Sequence, residues 1–355
     1  METAIYKVIG VMSGTSLDGM DLAQIEFRKR ESWEFKLGVC ETVPYPQDWF
    51  EALRGAMDLS RDQLLLLNQR YTEFLGNVIS DFVNRNNLDD IDFVASHGHT
   101  VLHQPQKKLT LQIGNLPAIA DVAGLPVVCD FRVADVMLGG QGAPLVPIGD
   151  KLLFGNYDYC LNLGGFANVS MEDPTGTRIA YDICAVNTVM NHFATLLGEN
   201  YDDRGKMAAS GSVNESLKLE LDALDFYRES PPKSLGMEWV SQHVLPIFEK
   251  YEMEPADHLR TWVAHIAEQI GSVFSVGTKV LVTGGGAMND FLMKEITAHT
   301  DADLEIPDRL VLEYKEALIF GLLGVLKMRN EINCLKSVTG ASHDHSSGVY
   351  FTPIR

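Results

Sequence analysis

Apolar runs separated by short polar stretches begin the chain. Residues 8–12 and 22–27 are rich in apolar side chains, and the polar stretch between them carries Gly14 and Gly19. Because glycine adopts positive φ without steric cost, the pattern predicts a β-hairpin with a tight turn at its tip. A third strand is predicted for residues 34–43.

Strand and helix patterns then alternate along the chain. One predicted helix, at residues 61–84, has an apolar stripe formed by Leu64, Leu67, Tyr71, Phe74, Leu75, Val78 and Phe82. Apolar runs and stripes predict further strands at 92–96, 126–130, 157–163, 179–182 and 279–282, and helices at 185–197, 256–276 and 314–329. This interleaving indicates an α/β protein. A strand, a glycine-rich turn and a strand occur at both 8–27 and 157–171, which indicates a duplicated architecture.

A segment dense in glycine, arginine and aspartate interrupts the regular pattern after residue 130. We therefore predict that domain I comprises residues 1–130 together with 331–355, and that domain II comprises residues 131–330. The tail ends in VYFTP, which predicts an edge strand.

Length and composition describe an ordinary globular protein. The chain has 355 residues, of which 46% are hydrophobic and 22% charged, enough for two domains with large cores. The formal net charge is −19, and such an acidic surface disfavours nucleic acids and anionic membranes as partners. A small anionic ligand is still compatible, because a local pocket can oppose the global charge.

The five cysteines are scattered and have no CxxC spacing, which is typical of a reducing compartment rather than of a disulfide framework. The first residues lack a basic region followed by an apolar one, and no apolar run approaches the roughly 20 residues of a membrane span. We therefore expect a cytoplasmic protein without a membrane partner.

The tip of the first hairpin combines hydrogen-bond donors with carboxylates. Its residues are Gly14, Thr15, Ser16, Leu17, Asp18, Gly19, Met20 and Asp21. Hydroxyl and N–H groups bind phosphate oxygens, and carboxylates bind Mg²⁺ or its waters. It is not a Walker loop, because no GxxxxGK[ST] is present and the turn leads into a strand. An ordinary polar hairpin turn is the alternative interpretation.

Two further glycine-bearing turns follow predicted strands. They contain Gly164, Gly165 and Asn168 in LGGFANVS, and Gly284, Gly285, Gly286 and Asn289 in TGGGAMN. The first suits a phosphate. The second precedes a helix, where backbone N–H groups can face an anionic or flat group. Because ligands of α/β proteins gather at strand ends, the three turns together favour nucleotide binding over packing alone.

Asp182 ends a predicted strand and has two interpretations. A carboxylate there can act as a general base in a cleft. It can also be the N-cap of the helix predicted to begin near residue 185. The sequence leaves both roles open.

Three histidines, His97, His99 and His103, suggest a metal site, since 97 and 99 share one side of an extended segment. No further ligands stand at a telling spacing, and Asp130 and Asp135 are the nearest candidates. Hydrogen bonding to a polar substrate is therefore favoured over zinc.

Arg132 suits an anionic or polyhydroxyl ligand through its fork of donors. An ion pair with Asp135 that fixes the domain junction is an equally good interpretation. Glu316, at the start of the last helix, is by itself typical of a solvated helix start.

Taken together, ordered blocks over nearly the whole chain resemble the anhydro-N-acetylmuramic acid kinase family. The blocks are MSGTSLDGMD, SHGHTV, LQIGN, VVCDFRVADVMLGGQGAPLVP, NLGGFANVS, YDDRGKMAASG, PPKSLGMEW, VTGGGAMND, KEA and SVTGA. The resemblance implies a two-domain, actin-like (ribonuclease H-like) sugar kinase fold with a deep inter-domain cleft, and a homodimer. A phosphate loop between two strands is similar to that of the actin superfamily.

The resemblance also implies a reaction. The family uses ATP, Mg²⁺ and water to open the ring of 1,6-anhydro-N-acetylmuramic acid, an amino sugar from peptidoglycan, and to phosphorylate O6. The resemblance makes Asp182 the catalytic base, residues 14–21 the phosphate and metal site, and the 284–286 turn the adenosine contact. The implied substrate contacts are His97, Thr100, Arg132, Asp135, Asn187 and Glu316. The implied metal ligands are Asp18, Asp21 and Glu316.

Two positions depart from the family pattern. DICAVN stands at residues 182–187 where DTGPGN is usual, and HGHT stands at 97–100 where HGQT is common. Because both changes fall at the expected sugar site, a kinase for another anhydro sugar, such as levoglucosan, is the nearest alternative. A sugar sensor that binds ATP without turnover and a filament-forming actin relative are the others.

Overall fold

The computed structural model describes residues 4–14 and 17–354. The chain divides into two compact units. Unit 1 consists of Met1–Leu153 and Tyr314–Arg355, and unit 2 consists of Phe154–Glu313. This division differs from the predicted one, whose boundaries near residues 130 and 330 both fall inside unit 1.

The strands form one sheet in each unit. Their bounds are β1 Ala4–Ser13, β2 Met20–Lys29, β3 Trp33–Val43, β4 Phe93–Gln104, β5 Leu109–Ile113, β6 Val127–Cys129, β7 Tyr159–Leu163, β8 Phe166–Glu172, β9 Arg178–Ala185, β10 Lys279–Thr283, β11 Asp303–Glu305 and β12 Val349–Phe351. The unit 1 sheet has the order β12-β6-β4-β1-β2-β3, with β5 paired to β4, and the unit 2 sheet has the order β11-β10-β7-β8-β9.

The two sheets repeat one topology. In each unit the first three strands form an antiparallel meander, and two parallel strands continue the sheet beside the first strand. The duplicated architecture and the α/β class predicted from the sequence are confirmed. This order is that of the ribonuclease H-like fold. The predicted edge strand is also confirmed, because β12 pairs only with β6 at the end of the unit 1 sheet.

Helices connect and cover the sheets. Their bounds are α1 Gln47–Arg54, α2 Arg61–Arg85, α3 Ala118–Ala123, α4 Val133–Met137, α5 Val146–Leu153, α6 Asn187–Leu196, α7 Lys206–Ser210, α8 Glu215–Asp222, α9 Met237–Trp239, α10 Leu245–Phe248, α11 Pro255–Gly271, α12 Asp290–Ala298, α13 Arg309–Met328 and α14 Lys336–Thr339. The long predicted helix is α2, whose N-terminus has a capping box between Ser60 and Gln63. No helix among the described residues is both long and apolar enough to cross a membrane.

Residues 131–153 belong to unit 1 because they bond to the C-terminal part of the chain. Ser347 Oγ donates a hydrogen bond of 2.6 Å to the Phe131 carbonyl. Lys315 forms a buried ion pair of 2.8 Å with Asp150. These contacts join positions far apart in sequence, so a local composition change near residue 130 does not mark the boundary.

Helix α13 belongs to unit 1 from Tyr314 onward because it packs directly on the sheet. A Cβ on Gly10 would lie inside van der Waals contact with the Ala317 carbonyl, and a Cβ on Gly324 would lie 2.6 Å from the Ala95 methyl. Glycine at these two positions lets the helix approach the strands closely.

Strand β4 is longer than the predicted strand at residues 92–96. Gly98 has φ 72, and the register against β1 shifts between Val11 and Ser13. This irregularity lets the chain continue past the glycine and pair with β5 up to Gln104. The polar SHGHT segment therefore lies within a strand.

Candidate active site residues

The tip of the β1–β2 hairpin is a strained turn in unit 1. Leu17 has φ 60, a backbone conformation that residues other than glycine rarely adopt, and its N–H donates to the Gly14 carbonyl at 3.5 Å. Gly19 is required here, because a Cβ would lie 2.8 Å from the Val43 carbonyl oxygen. Strain of this kind is concentrated at ligand-binding turns. Thr15 and Ser16 lie outside the described residues.

Met20 and Asp21 begin β2, and their side chains differ in role. The Met20 side chain is fully buried in the core, so its predicted place in the ATP site is wrong for the side chain. Asp21 Oδ1 accepts a hydrogen bond of 2.6 Å from Thr42 Oγ1 on β3. This bond orients the Asp21 carboxylate.

Glu316, on α13, is electrostatically coupled to the hairpin tip. Its side chain is accessible, but desolvation by the surrounding protein raises the pKa of its carboxyl. Arg132 opposes this shift, whereas the charges of Asp21 and Asp18 add to it. The charges of Asp18 and Asp21 therefore oppose ionisation of Glu316, which is the electrostatic setting that a divalent cation relieves.

Arg132 is held by His97 instead of by Asp135. Arg132 Nε donates to His97 Nε2 at 2.8 Å, and Nη1 donates to the Gly142 carbonyl at 2.6 Å. Burial, followed by the Arg132 charge, lowers the pKa of His97 well below its ordinary value, so His97 is a neutral acceptor. Glu316 is the largest of the charges that raise the pKa of Arg132, but desolvation lowers it overall to about 10.

His99 belongs to a buried hydroxyl network. Its Nδ1 lies 3.0 Å from Ser13 Oγ, which in turn lies 2.5 Å from the Tyr45 hydroxyl. The Tyr71 hydroxyl is 2.6 Å from that of Tyr45. Burial lowers the pKa of His99 to about 4, so the ring is neutral near pH 7. From the sequence, Tyr71 was predicted only as part of the apolar stripe of the helix at residues 61–84, and no role was predicted for Tyr45.

The three histidines of the zinc hypothesis have separate partners. His97 contacts Arg132 and His99 contacts Ser13, whereas His103 Nδ1 lies 3.1 Å from Thr110 Oγ1. Among the described residues they do not form a common ligand set. Hydrogen bonding of these histidines to a polar substrate stays a prediction.

The prediction that Asp135 contacts the substrate is wrong, because its carboxylate is fully buried. Oδ2 accepts from the Gly142 N–H at 2.7 Å, and Oδ1 accepts from Thr339 Oγ1 at 2.7 Å. A side chain enclosed in this way does not line a sugar pocket. Thr100, on β4, is half-buried and accepts from Gln112 Nε2 at 3.3 Å.

In unit 2, the glycine turns at residues 164–165 and 284–286 both lie close to Asn187, the first residue of α6. Its Nδ2 donates to the carbonyls of Leu163 at 3.2 Å and Gly164 at 2.8 Å. Val186 N–H donates to the Gly165 carbonyl at 2.8 Å. The side-chain amide of Asn187 thus stabilises the turn between β7 and β8.

The glycines at residues 284–286 differ in whether their backbone conformation and surroundings would allow a side chain. Gly284 has φ 86, and a Cβ there would lie 2.8 Å from Leu163 backbone atoms. A Cβ on Gly286 would lie 2.8 Å from the Leu163 side chain. Gly285 faces open space, with Asn187 Nδ2 the nearest neighbour at 3.9 Å. Asn289 is the N-cap of α12 and accepts from the Leu292 N–H at 2.9 Å.

Asp182 lies inside β9, not at its end as predicted. The helix that follows has Val186 as its N-cap, so the capping interpretation of Asp182 is wrong. Asp182 Oδ2 accepts from the Leu235 N–H at 2.8 Å. Burial raises the pKa of the Asp182 carboxyl, and the Leu235 N–H partly opposes this shift. A half-buried carboxylate with a raised pKa suits a general base.

A row of polar residues crosses the unit 2 sheet at Asp182. Asn168 on β8 pairs with both Asn162 on β7 and Asp182 on β9. The register shifts at this point, because Ile183 is the extra residue of a bulge. Bulges next to polar groups often aim side chains at functional sites. The sequence had not singled out Asn162, although it precedes the LGG turn.

Comparisons with known proteins agree with the resemblance. A family model described as anhydro-N-acetylmuramic acid kinase matches residues 6–353. The kinase of that name from Francisella tularensis subsp. novicida is 34% identical over 95% of this chain and 96% of its own length. The one from Rhodopseudomonas palustris is 33% identical over 98% and 100%.

Among solved structures, component A of (R)-2-hydroxyglutaryl-CoA dehydratase from Acidaminococcus fermentans is 13% identical and covers 89% of this chain and 96% of its own, with a TM-score of 0.42. A likeness at that score supports no conclusion about this chain.

Proposed function

The chain belongs to the anhydro-N-acetylmuramic acid kinase family and is a phosphotransferase, and we propose that it acts on 1,6-anhydro-N-acetylmuramic acid with ATP and water. The product is N-acetylmuramic acid 6-phosphate. The environment of Asp182 supports the proposal, because a half-buried carboxylate with a raised pKa suits the base that this reaction needs.

In the proposed reaction Asp182 takes a proton from a water molecule. The water oxygen attacks the anomeric carbon, and the bond from that carbon to O6 breaks. O6 takes the γ-phosphoryl group, and ADP leaves. The raised pKa of Asp182 makes its carboxylate a stronger base, and the Leu235 N–H keeps the carboxylate in one orientation.

We assign the phosphate groups of ATP to the hairpin tip of unit 1. The strained backbone at Leu17 supports a turn shaped for a ligand. Asp18, Asp21 and Glu316 would hold Mg²⁺, since their carboxylate oxygens and mutual repulsion fit a hard divalent cation. Bound there, Mg²⁺ would neutralise phosphate charge.

We assign the adenosine part of ATP to the glycine turns of unit 2. Gly285 is open, and Asn187 braces the neighbouring turn at Gly164. A flat or anionic group can approach such a backbone closely. Arg132 and Glu316 remain the proposed sugar contacts, with His97 orienting the guanidinium. A cytoplasmic homodimer stays a prediction.

The two departures from the family pattern do not favour another substrate. Residues 183–186 are all buried in the unit 2 core, so the altered turn changes packing. His99 is buried and bonded to Ser13. The burial of these side chains supports 1,6-anhydro-N-acetylmuramic acid as the substrate over another anhydro sugar.

Turnover of the purified full chain with 1,6-anhydro-N-acetylmuramic acid and ATP tests the proposal. We expect a product heavier than the substrate by one phosphoryl group and one water. Levoglucosan is assayed in parallel. Faster turnover of levoglucosan would favour a kinase for another anhydro sugar over the proposal. ATP binding without any product would favour a sugar sensor.

A further inference from the structure

A second group of chemistry-bearing side chains lies in unit 1. Asp135, Cys334 and His345 each contribute one possible ligand atom, and these three atoms lie within 4.8 Å of one another. Among residues 4–14 and 17–354, this is the group of three possible metal-binding side chains that lie so close together. Asp135 is 0% exposed, Cys334 is 1% exposed, and the His345 side chain is 8% exposed. Nothing in the proposed reaction uses this group.

The backbone sets Cys334 and His345 opposite each other. The Cys334 N–H donates to the His345 carbonyl at 3.1 Å, and the His345 N–H donates to the Cys334 carbonyl at 3.2 Å. Two residues that exchange both hydrogen bonds form an antiparallel pair, and their side chains leave the backbone on the same side. The thiol and the imidazole therefore project together towards Asp135.

Hydrogen bonding selects the tautomer of His345. Nδ1 lies 3.2 Å from the His343 carbonyl, which only accepts, so Nδ1 carries the proton. Nε2 is buried and has no hydrogen-bond partner among the described residues. It lies 3.6 Å from Asp135 Oδ1. In the neutral ring the lone pair of Nε2 faces this carboxylate oxygen, an arrangement that a shared cation makes favourable.

The separation of these two atoms suits a tetrahedral metal ion. Ligands at zinc distances are about 3.4 Å apart across a tetrahedral edge. The 3.6 Å between His345 Nε2 and Asp135 Oδ1 is close to that value. A backbone carbonyl on the other ring nitrogen is the usual outer partner of a metal-bound histidine.

Asp135 is already fixed in position. The Gly142 N–H and Thr339 Oγ1 each donate to one of its oxygens at 2.7 Å. Such outer bonds orient a carboxylate ligand before the ion arrives.

Charge and softness favour Zn²⁺ over Mg²⁺ or Ca²⁺. A thiolate, a carboxylate and a neutral imidazole balance two positive charges, and sulfur is a poor ligand for hard cations. Burial and the Asp135 charge raise the pKa of the Cys334 thiol to about 12, whereas a coordinating cation deprotonates a thiol outright.

We propose that Asp135, Cys334 and His345 bind one Zn²⁺ ion that fastens the C-terminal segment of the chain to α4, with a water molecule as fourth ligand. The segment already reaches α4 through Thr339. The ion would add a second contact to Asp135 Oδ1, the oxygen that already accepts from Thr339 Oγ1. The site would therefore stabilise unit 1 independently of the kinase reaction.

Metal binding by the full chain, freed of any affinity tag, tests the proposal. After removal of metals with a chelator, we expect Zn²⁺ to bind at one ion per chain and to raise the thermal midpoint. Co²⁺ should give thiolate-to-metal charge transfer absorption and the strong visible bands of tetrahedral coordination. His345→Ala and Cys334→Ser should weaken Zn²⁺ binding about 100-fold or more.

Matched variants separate the site from its surroundings. His343→Ala removes an exposed neighbouring ring and keeps the carbonyl that bonds His345, and Cys40→Ser removes a cysteine outside the group. Both should bind Zn²⁺ as the wild type does. A wild-type chain that takes up no Zn²⁺, Co²⁺ spectra without the thiolate band, or equal affinity in His345→Ala would overturn the proposal. The wild-type spectra decide even where a variant fails to fold.

Discussion

The backbone N–H of Leu235 donates a hydrogen bond of 2.8 Å to Oδ2 of Asp182. The two residues lie 53 positions apart in the chain. The bond gives the proposed base a fixed orientation, and it comes from a backbone group, so the side chain at 235 can vary without removing it. An asparagine at 182 can accept the same bond through its carbonyl oxygen.

Asp182→Asn should separate catalysis from stability. Removing the base should lower turnover by about 10²- to 10⁴-fold, the usual contribution of general base catalysis. The pKa of Asp182 is raised by folding, so its charge reduces stability as pH rises, and a neutral side chain avoids that loss. The thermal midpoint should therefore be unchanged or higher, with ATP binding intact.

Asp225→Asn is the control for this substitution, because the Asp225 side chain is 96% exposed in the same unit. It should leave turnover unchanged. Full activity in Asp182→Asn would remove Asp182 from the mechanism.

Two glycines of one turn should respond differently to alanine. Gly285→Ala fits the available space, so it should fold normally and raise the KM for ATP several-fold if the turn faces the nucleotide. Gly284→Ala places a Cβ at positive φ and against Leu163, which should cost about 1–3 kcal/mol. Urea unfolding and ATP kinetics measure both effects. An unchanged KM in Gly285→Ala would argue that adenosine binds elsewhere.

The stability of unit 1 should fall between pH 7 and pH 5 partly because of His99. Its pKa is lowered to about 4 by burial, against an ordinary 6.5, so below pH 6.5 the unfolded chain takes up a proton that the folded chain does not. The stability that His99 contributes is thus present above pH 6.5 and is lost as the pH falls towards 4. Wild type should lose about 2 kcal/mol more than His99→Asn over this interval.

Urea midpoints at pH 7 and pH 5 provide the comparison. His97, whose pKa is also lowered, titrates in both proteins and cancels in the difference. His343→Ala should show the wild-type pH dependence, since its ring is exposed. Parallel pH dependences for wild type and His99→Asn would contradict the assignment.

The buried ion pair between Lys315 and Asp150 should be costly to break. Their side chains are 8% and 5% exposed, so Lys315→Met removes a cation that lies against a buried carboxylate. The expected loss is about 3–5 kcal/mol in the free energy of unfolding. Lys7→Met breaks a solvent-exposed pair with Asp90 and should cost much less, because solvent screens such a pair. Equal urea midpoints for the two variants would mean that the buried pair adds little.

Several features of this protein follow from the sequence because their causes are local. The first hairpin, the capped helix α2 and the glycine turns depend on residues within a few positions of one another, and each appears where the pattern predicts it. The repeated order of strands and turns also indicated the duplicated fold. The ordered blocks, read together, indicated the family that the comparisons then showed.

Tertiary structure alone decided which polar residues are enclosed and which are free to act. Asp135 meets Thr339 across 204 positions, and Asp182 meets Leu235 across 53. Sequence spacing carries no record of such contacts, so Asp135 resembled a substrate residue and Asp182 resembled a helix cap as much as a base. The domain boundaries were misplaced for the same reason, because packing of Tyr314 onward against unit 1 joins the two ends of the chain. Local pattern specifies the elements, whereas burial and long-range hydrogen bonds specify the site.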